Sequence, residues 1–204
     1  WGWTLCETDG LVKSVCSITE NGEDRVYLLV DRVVEGVTRR FVERMASHSW
    51  SDVADTCFMD CAVSGVFDPA QRTFTGLWHL EGRTDVVALV DGMALTGLTV
   101  TNGAVTLPET AADATKATFG IPYQVDVETL PVRMNTQSFG SNIGRRQQVG
   151  EIALILADTR SIEAGIDADH LFQVKSRAAE GYGEPDALMN GEYTVTTDNK
   201  VGNN

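Results

Sequence analysis

The sequence predicts an all-β fold: a four-stranded antiparallel meander, the unit of a propeller blade, followed by β-barrel or β-sandwich domains. Three observations carry that reading. Short runs in which apolar and polar residues alternate recur along the chain, and turn signals separate them about every 8 to 12 residues. Asn21-Gly22 and Asn102-Gly103 are hairpin dipeptides in which both positions tolerate positive φ. The strand candidates are rich in β-branched residues, most densely over residues 26–34.

The meander occupies residues 1–48. Residues 1–6 are short and aromatic, and Thr8-Asp9-Gly10 turns them. Residues 11–19 alternate, with Val12, Ser14, Cys16 and Ile18 set between Leu11, Lys13, Val15 and Ser17, up to the turn at Asn21-Gly22. Residues 26–34 follow and end at Glu35-Gly36. Residues 38–45 then alternate charged with apolar groups through Arg40, Phe41, Val42, Glu43, Arg44 and Met45. A lone sheet of this size leaves a face uncovered, so neighbouring structure is expected against it.

A polar linker over residues 46–55 leads to a barrel or sandwich domain, residues 49–135. Its expected strands are 56–63, 72–80, 85–90 (closed by Asp91-Gly92), 98–101 and 104–107. Residues 111–118 are compatible with a helical turn or a loop. Residues 119–123 and 125–132 are expected to be extended, because the residue before each proline is pushed out of helical geometry. The third segment, 136–204, opens on a Gly/Ser/Asn loop at 139–144. Residues 151–157 are a continuous apolar run that periodicity alone leaves open between buried strand and helix. A loop is expected over 162–169, then strands over 170–176 and 192–197, separated by the Gly-rich stretch 181–185.

The chain has 204 residues, enough for one large or two small domains, and its 43% hydrophobic and 22% charged residues are ordinary for a folded protein. It opens on Trp1 and closes on a polar run, which reads as a segment of a larger protein. No run of about 18 apolar residues occurs, so no membrane partner is expected, and the opening residues do not read as a basic-then-apolar leader. Sixteen basic against 29 acidic side chains give a net charge of −13. Non-specific nucleic-acid binders neutralise phosphates with a basic face, so DNA binding is not expected. An acidic surface keeps the chain soluble, and along a passage it would repel DNA.

The residues offer little chemistry. Cys6, Cys16, Cys57 and Cys61 permit three disulfide pairings. As zinc ligands they are badly spaced, since Cys6 and Cys16 stand too far apart for half of a structural site. Most are expected to be small core residues. His48, His79 and His170 form no ligand spacing such as HxH. His79 and Glu81, two apart on an expected strand, would share a face as a proton-transfer pair or as a plain surface pair. Ser64-Gly65 lacks the elbow that exposes a nucleophilic serine. The loop pairs Asp52/Asp55 and Asp167/Asp169 offer too few oxygens for calcium. Arg145-Arg146 follows a glycine loop without the Gly-Lys-Ser/Thr ending of a phosphate site, and reads as a phosphate or carboxylate contact or as a solvated strand entry. Trp1, Trp3, Trp50 and Trp78 fit a carbohydrate-stacking platform as well as core or interface positions. No catalytic, cofactor-binding or metal residue is assigned, no cofactor is expected, and the chain does not read as an enzyme.

Three stretches in order resemble one family. The first is Thr8-Asp9-Gly10, Glu23-Asp24-Arg25-Val26-Tyr27-Leu28 and Arg40-Phe41-Val42-Glu43-Arg44-Met45. The second is Phe58-Met59-Asp60, Phe74-Thr75-Gly76-Leu77-Trp78-His79-Leu80-Glu81-Gly82 and Val86-Val87-Ala88-Leu89-Val90-Asp91-Gly92. The third is Gly120-Ile121-Pro122-Tyr123, Thr129-Leu130-Pro131 and Gly144-Arg145-Arg146. Together they look like the tail hub or nozzle proteins of short-tailed bacteriophages, also called tail tubular protein B. His79-Leu80-Glu81-Gly82 before an Asp-Gly strand is the most specific element, and the resemblance covers most of residues 1 to about 160. It implies a propeller-like portion, ending in the meander, that runs into β-barrel domains. It also implies a structural subunit of the virion tail, assembled in the bacterial host cytoplasm as a hexameric ring below the portal and its adaptor. Such a ring passes DNA without binding it specifically, helps retain the packaged genome and anchors tail fibres or spikes. A carbohydrate-binding or host-adsorption module of a phage tail is the alternative expectation.

Overall fold

Turn chemistry sets the first sheet. Asn21 and Gly22 have φ of 52° and 82°, and Glu35 and Gly36 have 50° and 76°. Both central residues of each turn are thus left-handed, the geometry whose twist matches two flanking antiparallel strands. The computed structural model describes residues 5–47, 49–66, 70, 72–111, 113–130, 135–136, 140–141, 148–174 and 186–197. The two turns join β1 (Leu11–Glu20), β2 (Glu23–Val34) and β3 (Val37–Arg44) into one antiparallel sheet with β2 in the centre. Register pairs Val12 with Val30 and Val30 with Phe41, so these share a face. On that face Val30, Arg32 and Val34 are buried. Leu11, Leu29 and Val42 lie on the opposite face, where Leu11 and Val42 are exposed.

The expected fourth strand, residues 1–6, is described only at Leu5 and Cys6. Residues 1–4 lie outside the described residues, and Leu5 and Cys6 belong to no strand, so the sheet among the described residues has three strands. The reason lies just downstream. A Cβ on Gly10 would stand 2.8 Å from Val30 Cγ1 and 2.9 Å from the Asp31 carbonyl. The chain therefore crosses the covered face of β2 at Gly10 instead of running beside β1, and only a residue without a side chain fits there.

The remaining strands of this part are β4 (Met59–Val66), β5 (Thr73–Thr75), β6 (Val86–Val90), β7 (Met93–Leu98), β8 (Ala104–Thr106) and β9 (Lys116–Pro122). β9 returns between β4 and β6, giving an antiparallel sheet of order β4-β9-β6-β7. The β5–β8 ribbon packs over it. The Phe74 ring meets Phe119 at 4.7 Å, and a Cβ on Gly65 would stand 2.7 Å from the Phe74 ring. Alternation builds the core: Val86, Ala88 and Val90 of β6 are buried with Leu77, Leu80, Val100, Val105, Leu107 and Phe119. The Asp91-Gly92 and Asn102-Gly103 turns again have positive φ at both residues. Residues 78–80, expected to continue a strand, form a 3₁₀ turn; β7 meets the expected strand 98–101 only at Leu98, Thr101 makes an isolated bridge to Ala104, and β8 pairs with β5.

The chain divides into two compact units, Trp1–Val125 and Asp126–Asn204, so the first sheet and the β4–β9 fold share a unit. In the second unit lie β10 (Asn135–Thr136), β11 (Gly140–Ser141), β12 (Glu151–Thr159), β13 (Glu163–Gly165), β14 (Leu171–Gln173) and β15 (Met189–Thr196). The apolar run 151–157 is a strand: β12 pairs antiparallel with β15, and Leu156, Val174, Met189 and Val195 form the core. Ile152 and Leu154 lean on that core while Ile155 points outward, so burial alternates along the run even though hydrophobicity does not. A bulge between Leu156 and Thr159 is fixed by Asp158 and Asn190, which bond each other at 2.9 and 3.0 Å. The expected loop 162–169 contains β13, paired with β14. Among the described residues, helix is confined to short 3₁₀ turns, so the chain is all-β with several antiparallel sheets.

Candidate functional site

Polar chemistry concentrates in the first unit at the seam between the three-stranded sheet and the β4–β9 fold. Arg32, on the covered face of β2, is only 5% exposed. Its guanidinium forks onto Glu43 of β3 at 2.6 and 2.7 Å and donates at 2.8 Å to the Thr8 hydroxyl. It also donates to the Asp9 carbonyl. Burial opposes its charge, yet the bond to Glu43 together with the nearby Cys61, Glu43 and Asp60 charges holds its pKa above the ordinary value. The Asp9 carboxylate in turn accepts from Arg83, which also forks onto Asp85 at 2.9 and 2.7 Å. Arg83 holds the Asp85 carboxyl below the usual carboxylate range. Asp9 thus joins two arginines, one on each side of the seam.

Cys61 stands close to this seam, in the bulge between Asp60 and Val63 of β4, with φ of 53°. Burial pushes its thiol up to about 12, and the Arg32 charge only partly offsets that. Cys57 is likewise raised by burial. Cys61 and Cys57 are half-buried free thiols, whereas Cys6 and Cys16 are exposed free thiols, against the expectation of mostly buried cysteines. Cys16 is exposed because β1, an edge strand among the described residues, is exposed along nearly its whole length.

The His79-Leu80-Glu81-Gly82 stretch forms a bracket next to the seam. His79 Nε2 lies 2.8 Å from the Cys61 carbonyl, Leu80 is buried, and the Glu81 carboxylate accepts from the Asn102 and Gly103 amides at 2.9 and 2.5 Å. Trp78 lies against the same turn: a Cβ on Gly103 would stand 2.5 Å from its indole. The expected His79–Glu81 pair on one strand face is not formed, because Trp78–Leu80 is a 3₁₀ turn and the two side chains serve different partners. Carboxylate capping of two amides and a histidine on a bulge carbonyl fix backbone, and neither group faces a shared proton.

Other expected candidates are similarly engaged. Asp52 caps the 3₁₀ turn Val53–Asp55 through the Ala54 amide at 2.9 Å, and Asp55 pairs with Lys116. Ser64 bonds the Thr118 hydroxyl at 2.8 Å. Asp167 holds His170 Nδ1 at 2.6 Å and the Asp169 amide at 3.0 Å in an exposed turn. That pairing lowers the Asp167 pKa and raises that of His170. Trp50 meets Phe58 edge-on at 5.4 Å, while Trp78 is 64% exposed. His48, Trp1, Trp3 and Arg145-Arg146 lie outside the described residues. Sequence reasoning missed the seam itself, because Asp9, Arg32 and Arg83 lie far apart along the chain.

No protein-family model matches the chain, and no curated protein matches it.

Proposed function

We propose that this chain is part of a structural subunit of a phage tail hub or nozzle ring, which forms the DNA passage, helps retain the packaged genome and anchors fibres or spikes. The observation that carries the reading is the ordered set of stretches from Thr8-Asp9-Gly10 to Gly120-Ile121-Pro122-Tyr123, with His79-Leu80-Glu81-Gly82 the most specific among them. The work those residues do supports it. Asp9, His79 and Glu81 spend their polar atoms on holding one part of the fold to another, as a load-carrying subunit requires. The net charge of −13 suits a wall past which DNA moves without sticking. Ring partners are further copies of the subunit, and the portal adaptor and a fibre or spike protein are its neighbours in the virion. Antibodies raised against this chain should label short-tailed particles at the tail. Labelling of host cell surface with bare virions would argue against the assignment.

One observation favours the second reading, a carbohydrate-binding module: Trp78 is largely exposed beside the rigid Asn102-Gly103 turn. Sugar-specific binding on a glycan array that Trp78→Ala abolishes would favour it over the ring.

A further inference from the structure

Residues 123–130, Tyr-Gln-Val-Asp-Val-Glu-Thr-Leu, follow β9 and belong to no strand or helix, although the sequence predicts extended chain from residue 125. Val125, Val127 and Leu130 are 73, 85 and 89% exposed. Three large apolar side chains so open within six residues need cover. Apolar Tyr123, Val125 and Val127 alternate with Gln124, Asp126 and Glu128, the pattern of a strand with one apolar and one acidic face.

The complementary surface lies on the same chain. β3, Val37–Arg44, is eight residues long and, among the described residues, an edge of its sheet, so one row of its backbone groups there pairs with no further strand. It carries Arg39, Arg40 and Arg44 in a protein of net charge −13, with exposed Val37 before them and exposed Val42 between Arg40 and Arg44. Arg40 and Arg44 are paired with Asp31 and Glu20, while Arg39 makes no ion pair among the described residues. Two β3 edges would bring arginines together, so self-pairing of that edge is opposed. An acidic, alternating strand fits it.

We propose that residues 123–130 of one copy add as an antiparallel strand to the free edge of β3 in a second copy. Placing Glu128 opposite Arg39 sets Val125 against Val42 and Leu130 against Val37, joining exposed apolar residues in pairs. Donor strand and acceptor edge are different patches, so the contact is head-to-tail and generates a ring if the rotation closes or a filament if it does not. The closed form rests on the tail-ring reading; the strand pairing does not.

The test is sedimentation velocity of the 204-residue chain from about 1 μM to about 1 mM, together with hydrogen exchange at both ends of that range. Association should grow with concentration, and residues 123–130 and 37–44 should gain protection together. Glu128→Arg and Arg39→Glu should each weaken association roughly tenfold, and an equimolar mixture of the two variants should restore it. Val127→Pro, which removes an amide at a position in none of the strands β1–β15, should abolish association while leaving the thermal transition unchanged. A chain monomeric throughout the range, or variants without effect, would overturn the pairing. Protection of 123–130 independent of concentration would assign the strand to its own chain and equally overturn it. Rings of the full-length subunit that ignore Glu128→Arg would remove the pairing and leave the ring. Swap-sensitive association without closed rings of the full-length subunit would remove the ring and leave the pairing.

Discussion

Arg83 reaches across 74 positions of sequence to the carboxylate of Asp9, whose carbonyl accepts from Arg32 of the neighbouring sheet. One acidic residue, in a segment with no regular structure, therefore fastens the three-stranded sheet to the β4–β9 fold. The two halves of that link differ in exposure, and the difference orders their energetic weight.

Arg32→Met should destabilise the chain by about 2–3 kcal/mol, because it removes a buried guanidinium and its charge-assisted bonds to the half-buried Glu43 carboxylate and the Asp9 carbonyl. Arg83→Met should cost no more than about 1 kcal/mol, since its bonds to Asp9 and Asp85 are largely open to solvent. The double variant Arg32→Met/Glu43→Met should recover much of the first loss. Urea midpoints of the single and double variants measure the coupling directly.

Gly103→Ala should destabilise by about 2 kcal/mol, for two reasons that add. The residue has φ of 64°, strained for any side chain, and its new methyl would run into the Trp78 indole. Combining it with Trp78→Ala removes the clash and leaves the strain, so thermal unfolding of the pair separates the two contributions.

The thiols should react in a fixed order. Cys6 and Cys16 are exposed and should be modified quickly by an aromatic disulfide reagent at about pH 8. Cys61, with its thiol pushed up to about 12, should resist until the chain unfolds, and Cys57 should lag behind the exposed pair. Mass spectrometry of peptides labelled at successive times reads the order.

Acid should loosen the first unit. Asp31 is held low by Arg40, Asp85 by Arg83 and Glu20 by the Tyr27 hydroxyl. A carboxylate whose pKa is lowered on folding stabilises above its unfolded pKa and loses that contribution as pH falls through the folded value. Stability should therefore decline below about pH 4. His170 runs the other way: its raised pKa contributes fully below the unfolded value of about 6.5, and the contribution fades as pH rises through the folded one. Urea midpoints across pH, with His170→Gln as the reference for the second effect, separate the two.

Which parts of this fold could be read from sequence follows from where the deciding force lies. The hairpins at Asn21-Gly22 and Glu35-Gly36, and the turn at Asn102-Gly103, were legible because the two turn residues themselves accept positive φ. The Trp78-His79-Leu80 turn was not, since the Cys61 carbonyl and the Asn102-Gly103 amides that shape it come from distant segments. β7, Met93–Leu98, carries Ala94 and Gly97 and so shows little strand propensity; pairing with β6 alone makes it a strand. Arg32 reads as one charge in an alternating strand, and only its partners 11 and 24 positions away reveal a buried anchor. The same reason hid the crossing at Gly10, which looks like a turn until the face it crosses is known.

We propose that this chain serves a tail ring. Negative-stain microscopy of the full-length subunit tests it most directly: closed rings with a central opening are expected at assembly concentrations. Particles that remain single subunits under those conditions would contradict it.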